Sequence, residues 1–144
     1  MVGSGSSRFV SLSRETILAT NGLVALARLV TESADVAKLA RSAGASVREM
    51  RSVMGRLRRA GLIEAGSNGS AGFRLARQAN AMSLYDVASA VGEDFRFCRC
   101  APPRESTEAD CVTCVLEGVS ERVRADVISL LKSKTVAQLA TPSA

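Results

Sequence analysis

The stretch GASVREMRSVMGRLRRAGLIE, residues 44–64, carries the pattern that decides the fold. Gly44 opens a tight turn, and Ser46 with Glu49 makes the S-x-x-E pattern of a capping box, which marks the start of a helix. Apolar residues then recur at the i, i+3, i+4, i+7 spacing of a buried helix face, and Gly61 ends the helix. The residues of this face are Met50, Val53, Met54 and Leu57. The outer face that remains is basic.

The segments on either side of this helix complete a small module. A helix starting at Arg14 and capped by Ser13 comes first, and a short helix fits residues 35–42 just before the turn. Two helices around a tight turn are typical of a helix-turn-helix. A strand at residues 62–65, a Gly-rich turn and a returning strand at residues 73–76 predict a β-hairpin directly afterwards. A helix-turn-helix followed by such a hairpin is a winged helix.

A long apolar helix is predicted near the end of the chain. Before it, Ser83 and Asp86 form another capping box, for a helix that runs through Val91. From Val112, beside the last two cysteines, apolar residues keep helical period for about five turns. These are Val112, Val115, Leu116, Val119, Val123, Val127, Leu130 and Leu131. Because so long an apolar helix has no evident partner in its own chain, we expect it to form the interface of a homodimer.

These patterns predict a mainly α fold class. We expect a winged helix-turn-helix DNA-binding domain with a small β-hairpin wing and a long C-terminal dimerisation helix. The chain then divides into four parts. They are a flexible tail at 1–8, the winged-helix domain at 9–92, a cysteine-rich sensor loop at 93–113, and the dimerisation helix with the C-terminal segment at 114–144.

Positive charge is concentrated in one part of the chain. Residues 37–77 hold nine of the 19 Lys and Arg residues and only two of the 14 Asp and Glu residues, which leaves ten basic and twelve acidic residues elsewhere. Such a concentration is expected of a protein that binds a phosphate backbone. An ordinary solvated surface is the alternative that charge alone leaves open.

Several function classes are disfavoured. No apolar run approaches the roughly 20 residues of a membrane span, and no secretory signal is evident, so we expect a cytoplasmic protein without a membrane partner. The chain has no histidine. It also shows neither a Gly-rich phosphate loop after a strand nor a thioredoxin-like order around its cysteines. We therefore expect neither an enzyme nor a small-molecule substrate.

All four cysteines lie in one short segment, paired as Cys98-x-Cys100 and Cys111-x-x-Cys114. Clustered thiols in a reducing compartment indicate metal or redox chemistry rather than structural disulfides. Four thiolates suit an iron–sulfur cluster, and they also suit tetrahedral zinc. A metal-free disulfide switch is the third outcome, because neighbouring arginines favour the thiolate. Those arginines are Arg96, Arg99 and Arg104.

The order of motifs resembles a known family over about residues 9–140. LRRAGLIE ends the helix-turn-helix, GFRLAR ends the wing, SLYDVASAVGE follows, and TVAQLA closes the chain after the cysteines and the long helix. This order is similar to that of the Rrf-type winged-helix transcriptional regulators, the family of the iron–sulfur regulator IscR and the nitric-oxide sensor NsrR. The resemblance implies a homodimer that binds double-stranded operator DNA. It places the recognition helix in the major groove and the wing near the minor groove.

Candidate DNA-contacting residues follow from the resemblance. Ser46, Arg48, Arg51 and Ser52 occupy the open face near the start of the recognition helix, where arginine can present its fork to a guanine. Further along are the candidates for phosphate contacts, Arg56, Arg58, Arg59, Arg74 and Arg77. The wing carries Ser67 and Asn68 where relatives commonly carry an arginine. The alternative for the helix is that its arginines simply face solvent.

The resemblance also implies a cofactor, a [2Fe-2S] or [4Fe-4S] cluster held by three cysteines and a fourth ligand. Cys114 matches the last of the three family cysteines, and the other two come from among Cys98, Cys100 and Cys111. Glu117 stands where some relatives have a ligating histidine. In others an acidic residue of the first helix ligates, and Ile17 occupies that position, with Glu15 close by. Zinc, no metal at all, and a protein-binding member that has lost DNA binding remain alternatives.

Overall fold

The structure is a computed structural model, and it describes residues 12–29, 33–66, 72–95 and 117–141. A turn of 3-10 helix at Ala79–Ala81 precedes α4. The helices and strands in chain order are α1 (Arg14–Arg28), β1 (Ala34–Asp35), α2 (Val36–Ala43), α3 (Val47–Arg59), β2 (Ile63–Ala65), β3 (Gly72–Leu75), α4 (Leu84–Ala90), α5 (Glu117–Ser133) and α6 (Val136–Ala140).

The described residues belong to two compact units. The winged-helix unit contains those of residues 12–93 and 130–141, and the second unit contains residues 94–95 and 117–129. The boundary between the units therefore falls inside α5.

Helix α1 forms the centre of the winged-helix unit. Ser13 caps it by accepting a hydrogen bond from the Thr16 backbone N–H at 3.2 Å. Leu18, Leu23 and Leu26 are buried on its inner face. At Gly22 the helix comes so close to α3 that an added methyl group would run into the terminal methyl of Met54. This close contact at Gly22 therefore sets the distance between α1 and α3.

The predicted helix-turn-helix is confirmed. Asp35 caps α2 by accepting from the Lys38 backbone N–H at 2.7 Å. Gly44 ends α2 in the left-handed conformation at φ 66°, which glycine adopts without steric cost. The Ala45 N–H then donates to the Ala40 carbonyl at 2.9 Å, and α3 begins two residues later.

The wing is a hairpin with one additional strand. Strands β2 and β3 pair antiparallel, with Ile63 opposite Leu75 and Ala65 opposite Phe73. The two-residue strand β1, which the sequence did not reveal, pairs with the other edge of β3, so the sheet order is β1-β3-β2. The mainly α winged-helix fold class is confirmed.

The C-terminal helix α6 closes the winged-helix unit. The Val136 N–H donates to the Met82 carbonyl and the Leu84 N–H donates to the Lys134 carbonyl, both at 2.9 Å. The Val136 side chain is fully buried. At the other end of α6, the Arg28 Nε donates to the Ala140 carbonyl at 3.2 Å. The closing TVAQLA segment is therefore part of the packing of the winged-helix unit.

Helix α5 spans Glu117–Ser133, and the earlier residues of the predicted long helix lie outside the described ranges. Val119 is 62% exposed and Leu130 is 58% exposed, which are large values for apolar side chains. No helix within the described ranges is long and apolar enough to cross a membrane.

Candidate nucleic-acid interface

The start of α3 is fixed by a complete capping box. The Ser46 Oγ accepts from the Glu49 backbone N–H at 3.1 Å, and the Glu49 carboxylate accepts from the Ser46 backbone N–H at 2.9 Å. These bonds satisfy two backbone donors that the first turn of a helix otherwise leaves open. The predicted capping box is confirmed, and it gives the first turn of α3 a defined direction.

The outer face of α3 is rich in exposed arginines. The predicted contact residues Arg48, Arg51, Ser52, Arg58 and Arg59 are all exposed, while the predicted apolar face is buried. None of these four arginines makes an ion pair or a side-chain hydrogen bond with any residue that the structure describes. Their charge is therefore available to a ligand from outside the chain.

Arg56 differs from the other arginines of α3. Its Nη1 donates to the Val91 carbonyl at 2.8 Å, which ties α3 to the end of α4. The sequence placed Arg56 among the phosphate contacts, but the structure gives its guanidinium a bond inside the protein.

The wing arginine Arg74 is also engaged. It lies opposite Glu64 across the β2–β3 pair, and its guanidinium contacts the Glu64 carboxylate at 2.6 Å. The pair offsets much of the positive charge that Arg74 brings to the wing. Ser67 and Asn68, at the predicted tip of the wing, lie outside the described residues.

An ion pair joins α1 to the start of α3. The Arg14 Nε donates to Glu49 Oε1 at 2.8 Å and its Nη2 reaches Oε2 at 3.4 Å. The hydrogen bond from Arg14, together with those from Ser46, lowers the pKa of Glu49 to about 2, and the same contact raises the pKa of Arg14. Glu49 is therefore ionised at neutral pH, and it belongs both to the cap and to the α1–α3 contact.

A second carboxylate, that of Glu93, accepts hydrogen bonds from residues at the start of α1. Its Oε2 accepts from the Ser13 backbone N–H at 2.9 Å, from the Ser13 Oγ at 2.8 Å and from the Thr16 hydroxyl. Sequence reasoning did not single out Arg14 or Glu93. The partners lie 35 and 80 residues apart along the chain, so no local pattern indicates either contact.

Cys98, Cys100, Cys111 and Cys114 lie outside the described residues, and Glu117 is described only as the first residue of α5. Within the described ranges, no group of three Cys, Asp or Glu side chains is placed to hold a metal ion.

Comparison with known proteins settles the family. The model of the Rrf2 family, described as an iron-dependent transcriptional regulator, matches residues 12–142. The chain belongs to the Rrf2 family. Family membership makes it a winged-helix transcriptional regulator rather than an enzyme, as the sequence predicted. No curated protein matches the chain.

Solved structures share the fold of this Rrf2-family chain at low sequence identity. CymR (YrzC), the global cysteine regulator of B. subtilis, has a TM-score of 0.71 at 18% identity and covers 94% of this chain and 99% of its own. The oxidised form of Staphylococcus aureus CymR has a TM-score of 0.73 at 20% identity, with the same two coverages. IscR of T. potens has a TM-score of 0.68 at 19% identity, covering 90% of this chain and 85% of its own.

Proposed function

We propose that the chain is a homodimeric repressor or activator that binds operator DNA by inserting α3 into the major groove. One observation carries this proposal, namely four exposed arginines that have no partner among the described residues, on a helix whose start is fixed by a capping box. A row of unneutralised guanidinium groups on a rigid helix is complementary to the phosphates and guanine edges of a duplex.

Position along α3 separates the roles of these arginines. Arg48 and Arg51 lie in the first two turns, the part of a recognition helix that contacts base edges. There an arginine that makes a bidentate contact with guanine provides about 1–3 kcal/mol of discrimination against other bases. Beside them, the shorter side chains of Ser46 and Ser52 supply hydroxyl contacts. Arg58 and Arg59, at the far end, are positioned for phosphate contacts, which set register without reading sequence.

A homodimer supplies the second recognition helix. A dimeric helix-turn-helix protein reads two half-sites about 34 Å apart, so the interface sets the spacing that DNA must match. We assign the interface to α5, because Val119 and Leu130 leave apolar surface exposed there. Such surface is stabilised when a second copy covers it.

Arg51→Ala tests the base-reading role. A duplex site selected from random sequence with the wild-type chain serves as the operator. The variant should lose about 1–3 kcal/mol on this site and much less on random duplex. Equal losses on both would make Arg51 a phosphate contact, and a wild-type chain that selects no site would contradict operator binding itself.

The cysteine segment is the proposed sensor of iron–sulfur, redox or nitric-oxide status. Four soft thiolates within 17 residues make a donor set that fits an iron–sulfur cluster, with Glu117 as a further candidate ligand. Cys98, Cys100, Cys111 and Cys114 would hold the cluster, and the cluster would supply chemistry that is sensitive to oxidation and to nitric oxide. The iron dependence in the family's description supports this assignment over zinc. The cysteines follow Glu93, whose carboxylate holds the start of α1, so the segment adjoins the DNA-binding unit along the chain.

The absorption spectrum of anaerobically purified protein tests the sensor. We expect visible absorption, which Cys114→Ser should bleach while changing operator affinity. Colourless protein with one zinc per chain would replace the cluster with a structural zinc site. Colourless, metal-free protein whose DNA binding responds to peroxide would replace it with a thiol switch.

A further inference from the structure

Gly55 is an unexplained feature of the recognition helix. It is the ninth of 13 residues in α3, where glycine lowers helix stability relative to alanine. The backbone does not require it, because Gly55 is not among the glycines with positive φ. Packing does not require it either, since an added methyl would meet no atom of the described residues within 4 Å. The contrast is with Gly22, where the same methyl would run into Met54.

Gly55 lies on the outer face of α3. Successive helical residues are about 100° apart around the axis, which places Gly55 roughly opposite the buried stripe centred on Val53 and Leu57. Arg51 lies one turn before it and Arg59 one turn after it, and both are exposed and unpartnered within the described ranges. The glycine therefore interrupts the arginine face near its middle.

We propose that Gly55 is the point at which the backbone of α3 lies directly against the DNA duplex. The inference rests on the proposed operator binding and deepens it. A side chain at this position would project between the arginines and hold the helix axis away from the groove. The arginine forks on both sides would then be too far from their targets, because a bidentate contact tolerates little displacement. Glycine is the residue that permits such close approach of a backbone to a ligand.

The test substitutes Gly55 and measures fold stability and DNA affinity separately. Gly55→Ala should raise the melting temperature by roughly 2–8 °C, because the helix gains propensity and the methyl has open space. The same variant should bind the selected operator at least about tenfold more weakly. Gly55→Leu, which projects further, should bind more weakly still.

Asn21→Ala is the matched control. Asn21 is exposed in the interior of α1, so alanine there also raises helix propensity without touching the arginine face. This variant should gain stability and keep wild-type operator affinity.

The outcomes separate this inference from the proposed function. Wild-type protein that binds operator while Gly55→Ala binds equally well or better would overturn the role of Gly55 alone. A lower melting temperature for Gly55→Ala would overturn it too, because the position would then not be open. Wild-type protein that selects no DNA site would instead overturn the proposed function on which the inference rests.

Discussion

Helices α3 and α5 both expose arginines, but only α5 neutralises them. On α5, Arg122 pairs with Asp126 at 3.3 Å and Arg124 lies 3.9 Å from Glu121. On α3, the exposed arginines have no carboxylate partner among the described residues. Glu49, the acidic residue of α3, pairs with Arg14 of α1 and not with an arginine of α3.

The difference indicates two kinds of partner. Surface ion pairs such as those of α5 add only about 0–1 kcal/mol each to stability, so their main effect is to cancel charge. What α5 then offers to a partner is apolar side chains such as Val119, which suits a second copy of the chain. The positive charge that α3 retains suits the polyanion of the proposed function.

The largest expected effect comes from the apolar side of α5. Replacing Val123 and Val127 together with Asp should give monomers in sedimentation experiments and abolish operator binding, because charge would be buried in the proposed interface. Ala125→Asp with Ser129→Asp is the control, since it adds the same charge to the opposite side of the helix. A Val123/Val127 variant that sediments like the wild type would contradict the interface, as would wild-type protein that is monomeric at micromolar concentration.

A smaller effect separates Arg56 from Arg58. Arg56→Ala should lower the free energy of unfolding by about 1 kcal/mol, because the bond to the Val91 carbonyl is lost, and should leave the salt dependence of DNA binding unchanged. Arg58→Ala should leave the free energy of unfolding unchanged and should reduce the slope of log affinity against log salt by about 1. Denaturant unfolding and salt titrations measure the two quantities. A reduced slope for Arg56→Ala would show that Arg56 contacts phosphate despite its internal bond.

The smallest expected effect concerns acid stability. The pKa of Glu49 falls from 4.5 to about 2 on folding, so its contribution to stability is complete above about pH 4.5 and is lost as the pH falls toward 2. Glu49→Gln should therefore be slightly less stable than the wild type at pH 7, and the difference should shrink as the pH falls through this range. Unfolding measured at pH 7, 4 and 2.5 checks this, and a constant difference would contradict the role of the Arg14 contact.

The sequence predicted α3 well because its signals are local. The capping box and the spacing of the buried residues both lie within residues 46–57, and the structure confirms them. The two-residue strand β1 could not be predicted in this way, because β3, nearly 40 residues later, is what makes it a strand.

The candidate site was only partly predictable for the same reason. The sequence gives the number of arginines, but tertiary contacts decide which of them stay available. Arg56 is engaged by Val91, and Arg74 by Glu64 on the neighbouring strand. The importance of Arg14 also appears only once α1 and α3 are packed together.

The most direct test of the central claim compares two double variants of equal charge in one operator-binding titration. Arg48→Ala with Arg51→Ala removes two arginines of α3 that have no partner in the part of the chain that the structure describes. Arg122→Ala with Arg124→Ala removes two paired arginines of α5. Both must first sediment like the wild type. The α3 variant should bind at least about 100-fold more weakly and the α5 variant within about threefold of the wild type. Equal losses for the two variants would show that only net charge matters, and would contradict α3 as the surface that reads DNA.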